Sequence, residues 1–209
     1  LGNHDAQRPV TRYGDGESGL RRARAAALFS FALPGSVYVY QGEELGLPEV
    51  LDLPEEVLQD PIWERSGHTD RGRDGCRVPM PWEGQQPPFG FSTADSWLPV
   101  PEYWRDRTVR AQRDSADSVL STYRRALAVR REHEALGSGG YRWLDAPDDV
   151  LMFRREPGLV CATNFGPNPV RLDLAGALLC HSERGELEEG TRFDGVLAGE
   201  TTVWVRADQ

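Results

Sequence analysis

The sequence predicts a mixed α/β chain: a strand–helix–strand unit of the kind that repeats in parallel barrels or sheets, then a small antiparallel β domain. Three observations carry that prediction. Residues 19–33 place Leu20, Ala23, Ala27, Leu28 and Phe31 at helical spacing. Residues 36–41, Ser-Val-Tyr-Val-Tyr-Gln, are β-branched and aromatic, the composition of a buried strand. Beyond Gly137-Ser138-Gly139-Gly140 the character changes to short strand-like runs separated by turn signals.

The elements follow in order. Residues 1–5 read as the end of a strand emptying into a polar loop, 6–17. Ser18 is the expected N-cap of the first helix, with Arg21, Arg22 and Arg24 between the apolar positions and facing outward. Pro34-Gly35 ends that helix. Residues 42–113 are rich in Pro, Gly and Trp and show no sustained periodicity; a segment that long is expected to be functional. Residues 114–134 form the clearest helix, with Val119, Leu120, Tyr123, Leu127 and Ala128 on one face. Strands are expected at 141–144, 150–155, 159–164, 170–174 and 201–206. Residues 183–189 read as a solvated turn.

Composition bounds the function. With 209 residues the chain cannot hold a complete (β/α)₈ barrel of roughly 250 residues plus an appendage. A net charge of −9 argues against nucleic acid or an anionic membrane as partner. All 24 basic residues are Arg. The longest apolar stretch, 25–33, is far short of the ~20 residues of a membrane span. Cys76, Cys161 and Cys180 have no metal-type spacing and fit reduced thiols in a cytoplasmic protein.

Three blocks carry chemistry: Leu1-Gly2-Asn3-His4-Asp5, Tyr40-Gln41-Gly42-Glu43-Glu44-Leu45-Gly46, and residues 72–82, Gly-Arg-Asp-Gly-Cys-Arg-Val-Pro-Met-Pro-Trp. Asn-His-Asp alone is usually a turn or cap. The three blocks in this order resemble the C-terminal part of the catalytic domain of the oligo-1,6-glucosidase branch of α-glucosidases, in the α-amylase family of glycoside hydrolases. Specific motifs carry the resemblance from Leu1 to about Trp82; beyond that only the layout of elements matches.

The resemblance implies the C-terminal portion of a (β/α)₈ barrel, residues 1–136 with an active-site loop at 42–113, followed by an antiparallel β domain, 137–209. It implies a fragment of a retaining α-glucosidase, acting on short α-linked oligosaccharides or disaccharides without metal or cofactor. Asp5 would be the transition-state stabiliser; His4, Arg77 and Gln41 would bind the sugar. Retention requires a nucleophilic carboxylate and a carboxylic acid about 5 Å apart. No residue of this chain matches the family's nucleophile or acid/base, which lie on earlier strands, so the chain alone is expected to be inactive. Val78 stands where many relatives carry Thr.

Other readings weigh against these. Glu43 and Glu44 point to opposite faces of an extended chain and read as loop anchors rather than an acid/base pair. Arg73 and Asp74 read as an internal ion pair. His68 and Asp70 could join His4 and Asp5 at a metal, but a solvated loop is the better reading. Trp63, Trp82, Trp97 and Trp104 suit either sugar stacking or packing. A transglycosylating relative, such as a sucrose-isomerising or trehalose-forming enzyme, shares the same residues; a non-catalytic scaffold on the same fold would lack the upstream carboxylates.

Overall fold

The computed structural model describes residues 1–185, 188 and 190–208. Five α-helices come first: α1 (Pro9–Arg12), α2 (Gly16–Ala32), α3 (Pro61–Arg65), α4 (Val109–Gln112) and α5 (Val119–Glu132). Eight strands follow: β1 (Tyr141–Leu144), β2 (Val150–Arg155), β3 (Leu159–Asn164), β4 (Val170–Arg171), β5 (Gly176–His181), β6 (Arg192–Phe193), β7 (Val196–Leu197) and β8 (Thr201–Ala207). Six build one antiparallel sheet in the order β1-β2-β3-β8-β5-β6, and β4 pairs with β7.

Part of the expected loop 6–17 is helical, α1, and the expected helix, α2, begins earlier than expected. Asp15, in the left-handed region at φ 57°, precedes it. Ser18 therefore lies inside α2, and its hydroxyl donates to Glu200 Oε1 at 2.6 Å instead of capping. Arg21 and Arg22 reach the same Glu200 carboxylate. Arg24 departs from the expected outward orientation: it is buried. The last helix starts later than expected, at the Ser118 cap, whose hydroxyl accepts from the Ser121 N–H.

Residues 36–41 form no strand. They have no ladder partner among the described residues, and a strand needs paired neighbours to exist. Residues 1–5 contribute only one isolated bridge, Asn3 to Ala6. The expected strand 170–174 shortens to two residues. Strands β5, β6 and β7 had no sequence signal: Gly176-Ala177-Leu178-Leu179-Cys180-His181 does not alternate, and the other two are two residues each. Of the expected turn 183–189, residues 186, 187 and 189 lie outside the described residues.

One apolar cluster joins the helices to the sheet, uniting Leu28, Phe31 and Tyr123 with Phe153, Cys161, Cys180 and Trp204. Hydrogen bonds bolt the same seam. Trp204 Nε1 donates to the Leu28 carbonyl at 3.2 Å and Thr202 Oγ1 to that of Ala25 at 2.8 Å. The carbonyls at the end of α2, which no helical N–H can reach, are taken by arginines: Arg155 on Ala32 and Arg130 on Phe31 and Leu33. A second cluster fills the opposite face of the sheet.

The long segment 42–113 is ordered around its own core, including Leu45, Leu47, Val78, Phe89, Leu98 and Trp104. This core holds residues 72–78 against the chain's first residues.

Candidate active site

Asp5 follows the Asn3-His4 turn, where the Asn3 side-chain oxygen accepts the Asp5 N–H at 2.8 Å. Two arginines from a distant turn close on its carboxylate. Arg73 NH1 lies 2.7 Å from Asp5 Oδ1, and Arg77 NH2 lies 3.3 Å from the same oxygen. His4 Nε2 is 3.2 Å from the other oxygen, Oδ2. The Asp5 side chain remains 48% exposed and that of His4 69%, so both are open to a ligand. Arg77 also donates from Nε to the His4 carbonyl at 3.0 Å. Thus the structure brings His4, Asp5 and Arg77 together.

What fixes the arginines is a pair of buried carboxylates. Asp60 binds Arg73 through Nε and, at 3.1 Å, through NH2, while Arg77 NH1 lies 3.7 Å away. Asp60 also accepts from the backbone N–H groups of Ile62 and Arg73, each at 3.1 Å. Asp74 takes Arg77 NH1 at 3.3 Å and the N–H groups of Gln59 and Asp60 at 2.6 and 2.9 Å. Arg73 and Asp74 therefore do not pair with each other; each serves the neighbouring charge instead. The Arg73 fork, with backbone donors behind it, holds the Asp60 carboxyl well below the usual carboxylate range, and Asp60 in turn raises the Arg73 pKa.

Asp60 is the residue that sequence reasoning missed. Its signal was present: Asp60-Pro61 is an N-cap followed by Pro at the first helical position, the start of α3. Arg8 was also missed. Buried, it donates to the carbonyls of Gln41 and Cys76 at 2.9 Å and of Val78 at 3.3 Å, and Glu49 accepts its backbone N–H at 2.8 Å. Nothing in the loop 6–17 distinguished it from a solvated arginine.

Gln41 sits on this supporting side. Its amide donates to the Val78 carbonyl at 3.3 Å, beside the Tyr40 hydroxyl on Cys76 O at 3.2 Å. Val78 is fully buried, and its backbone carbonyl accepts from both Arg8 NH2 and Gln41 Nε2, each at 3.3 Å. Glu44 accepts the Gly42 N–H at 2.8 Å, and Glu43 accepts that of Gly2, so both anchor backbone as expected. Burial pushes both carboxyls upward. His68 stacks on Trp63 with centroids 4.7 Å apart and rests 3.2 Å from Glu64, away from His4 and Asp5 in its contacts. Trp63 and Trp104 are packing residues, whereas Trp82 and Trp97 are exposed.

Chemically, the arrangement is an accessible carboxylate held rigid by two arginines that are themselves tethered to buried acids. It can accept hydroxyl donors and present fixed negative charge to a developing cation. A shallow cleft of about 370 Å³, bordered by Asp60, Arg65, Asp70 and Arg73, adjoins it.

Residues 1–139 match the family model for the alpha-amylase catalytic domain. A probable alpha-glucosidase of Rhizobium meliloti is 41% identical over 157 residues, covering 75% of this chain and 28% of that protein. The oligo-1,6-glucosidase of Parageobacillus thermoglucosidasius is 31% identical over 188 residues, covering 79% of this chain and 33% of its own length. The chain thus spans about a third of these relatives. Among solved structures, an alpha-glucosyl transfer enzyme superposes on all of this chain with a TM-score of 0.82 and 37% identity, the match covering 39% of that enzyme. The trehalose-6-phosphate hydrolase of Bacillus licheniformis, 21% identical with a TM-score of 0.81 over 42% of its chain, shares the fold.

Proposed function

Because the chain belongs to the α-amylase family of glycoside hydrolases, we propose that it supplies the transition-state-stabilising side of an α-glucosidase active site. In this reading residues 1–136 form the last βα units of a (β/α)₈ barrel and 137–209 a C-terminal antiparallel β domain. The run 36–41, which has no ladder partner among the described residues, is then a barrel strand whose neighbours lie outside residues 1–209. The nucleophile and the acid/base are contributed from there too, and the present chain alone is inactive. The substrate is a short α-linked glucose oligosaccharide or disaccharide. A cytoplasmic setting belongs to the same reading, supported by three free buried thiols.

The observation that carries this proposal is the clamp on Asp5. Cleavage with retention passes through an oxocarbenium-like transition state. A carboxylate fixed before the reaction stabilises that charge without reorganising when it appears. Asp5 meets the requirement: its Oδ1 is held by Arg73 and Arg77, and the exposed remainder faces solvent where a sugar would sit. His4 extends a ring nitrogen to a sugar hydroxyl. Arg77 spends its fork on Asp5, Asp74 and the His4 carbonyl, so its share in sugar binding acts chiefly by orienting Asp5. Gln41 would line the floor below.

The test is turnover of maltose, isomaltose and sucrose by the full polypeptide that carries these residues, beside its Asp5→Asn variant. Hydrolysis that collapses in the variant supports the reading. Absence of turnover in the parent favours a non-catalytic scaffold, and an unimpaired variant removes Asp5 from the catalytic set. The likeness to an alpha-glucosyl transfer enzyme favours one second reading, transglycosylation. Products decide it: free glucose from hydrolysis, or new glucosides from transfer.

A further inference from the structure

Arg8 follows Asp5 by three residues but is buried, with only 2% of its surface exposed. Every hydrogen bond of its guanidinium among the described residues ends on a backbone carbonyl. NH1 donates to Gln41 at 2.9 Å, and NH2 donates to Cys76 at 2.9 Å and to Val78 at 3.3 Å. The rings of Tyr40 and Trp104 flank it, their centroids 5.7 and 5.4 Å from its Cζ. Those π faces offset part of the desolvation. Burial still pushes its pKa down, against the opposing pull of Tyr40 and Glu49. Gly42 clears the seat: at φ 88°, a Cβ there would stand 2.6 Å from Arg8 NH1.

A charge buried against neutral acceptors is a poor way to gain stability, and its best-attested use is to fix register. The partners of Arg8 show what it registers. Cys76 and Val78 stand on either side of Arg77, so NH2 holds the backbone at both flanks of that residue. The Tyr40 hydroxyl adds a second donor on Cys76 O at 3.2 Å. Arg77 then reaches back to the segment that Arg8 belongs to. It donates to the His4 carbonyl at 3.0 Å and lies 3.3 Å from Asp5 Oδ1. Arg8 NH1 ties the same assembly to Gln41, at the end of the run 36–41.

We propose that Arg8 is a positioning residue for the glucoside reaction: it sets the 76–78 turn against the Asn3-His4-Asp5 turn, and thereby the aim of Arg77 at Asp5. Asp5 carries the charge, and Arg8 acts on it only through Arg77. The inference rests on the glucosidase reading above and deepens it by one residue.

The experiment is steady-state hydrolysis of an aryl α-glucoside by the full polypeptide, with Arg8→Lys introduced into the parent and into an Arg77→Ala background. Lysine keeps a charge and a long stem but lacks the planar fork that serves two sides at once. The expected result is a kcat lowered by about 10- to 100-fold with KM changed less than about twofold, because a misplaced group penalises the transition state more than ground-state binding. In the Arg77→Ala background the same change should lower kcat by less than about twofold, since residues acting through one another are not additive. An unaltered kcat in Arg8→Lys overturns the inference. So does an equal loss in both backgrounds, the mark of a general structural role, or a loss confined to KM. Should Arg8→Lys fail to fold, Arg8→Gln, which leaves no buried charge, is read by the same criteria. A parent without turnover overturns the glucosidase reading instead, and this inference falls with it.

Discussion

At the scale of single residues, charge placement matters more than charge count. Asp5→Asn keeps the shape of the clamp but removes the negative charge. In the full enzyme it should lower kcat by about a hundredfold or more, the usual loss for a preorganised electrostatic group. Steady-state kinetics on an aryl α-glucoside measure it, and a kcat within a factor of a few of the parent would exclude the role. Asp60 makes a different prediction. Its carboxyl titrates below its unfolded value, so the folded protein binds fewer protons there than the unfolded chain. The stability it contributes is complete above the unfolded pKa of about 4 and drains away as pH falls below that. Asp60→Asn should therefore lower Tm at about pH 5 far more than at about pH 2. A Tm difference constant across that window would show that the paired charge is not what matters. His4, Asp5 and Arg77 were legible because they lie in short sequence blocks. Their supports were not: Asp60 stands 13 residues before Arg73, and Arg8 33 residues before Gln41, distances over which only folding brings partners together.

At the scale of elements, the seam between α2 and β8 carries the load. Trp204 is fully buried, packs in the joint core and donates to α2. Trp204→Ala should cost about 3–5 kcal/mol, the range for deleting a large core aromatic. Glu200 gathers Ser18, Arg21 and Arg22, and these donors outweigh its burial to hold its pKa down. The arginines are partly solvated, so Glu200→Gln should cost only about 1–2 kcal/mol. Urea unfolding monitored by tryptophan fluorescence ranks the two; a Glu200→Gln loss exceeding that of Trp204→Ala would reverse the assignment of the seam to apolar packing. Elements with strong local periodicity were legible. Strands β1, β2 and β3 matched their expected runs, because alternating and β-branched residues declare a strand locally. Strand β5 did not, since its pairing with β8 is decided by a neighbour 20 and more residues away. Arg24 was misjudged for a related reason: helical spacing places it beside the apolar face, and only tertiary packing decides that it is buried.

At the scale of the whole molecule, one face is unfinished within residues 1–209. The run 36–41 has no ladder partner among the described residues, and Tyr38 is 83% exposed beside exposed Val39. Elsewhere, Phe29 and Phe165 line a cavity of about 740 Å³ with Leu1 and Tyr13. The carbonyls of Tyr40 and Gln41 are taken by the Glu43 N–H and by Arg8, but a run outside any ladder that carries exposed apolar side chains is a template for pairing with another chain. Expressed on its own, the 209-residue polypeptide should therefore self-associate, with a light-scattering mass that rises with concentration. Replacing Tyr38 and Val39 with Lys should shift it toward monomer, because like charges oppose edge pairing and remove the apolar contact. The same two substitutions in the full polypeptide should instead destabilise it, since there the run is proposed to be an interior barrel strand. A monodisperse 209-residue chain would mean that the unpaired run is a settled surface, and the reading of residues 36–41 as a barrel strand would fall with it.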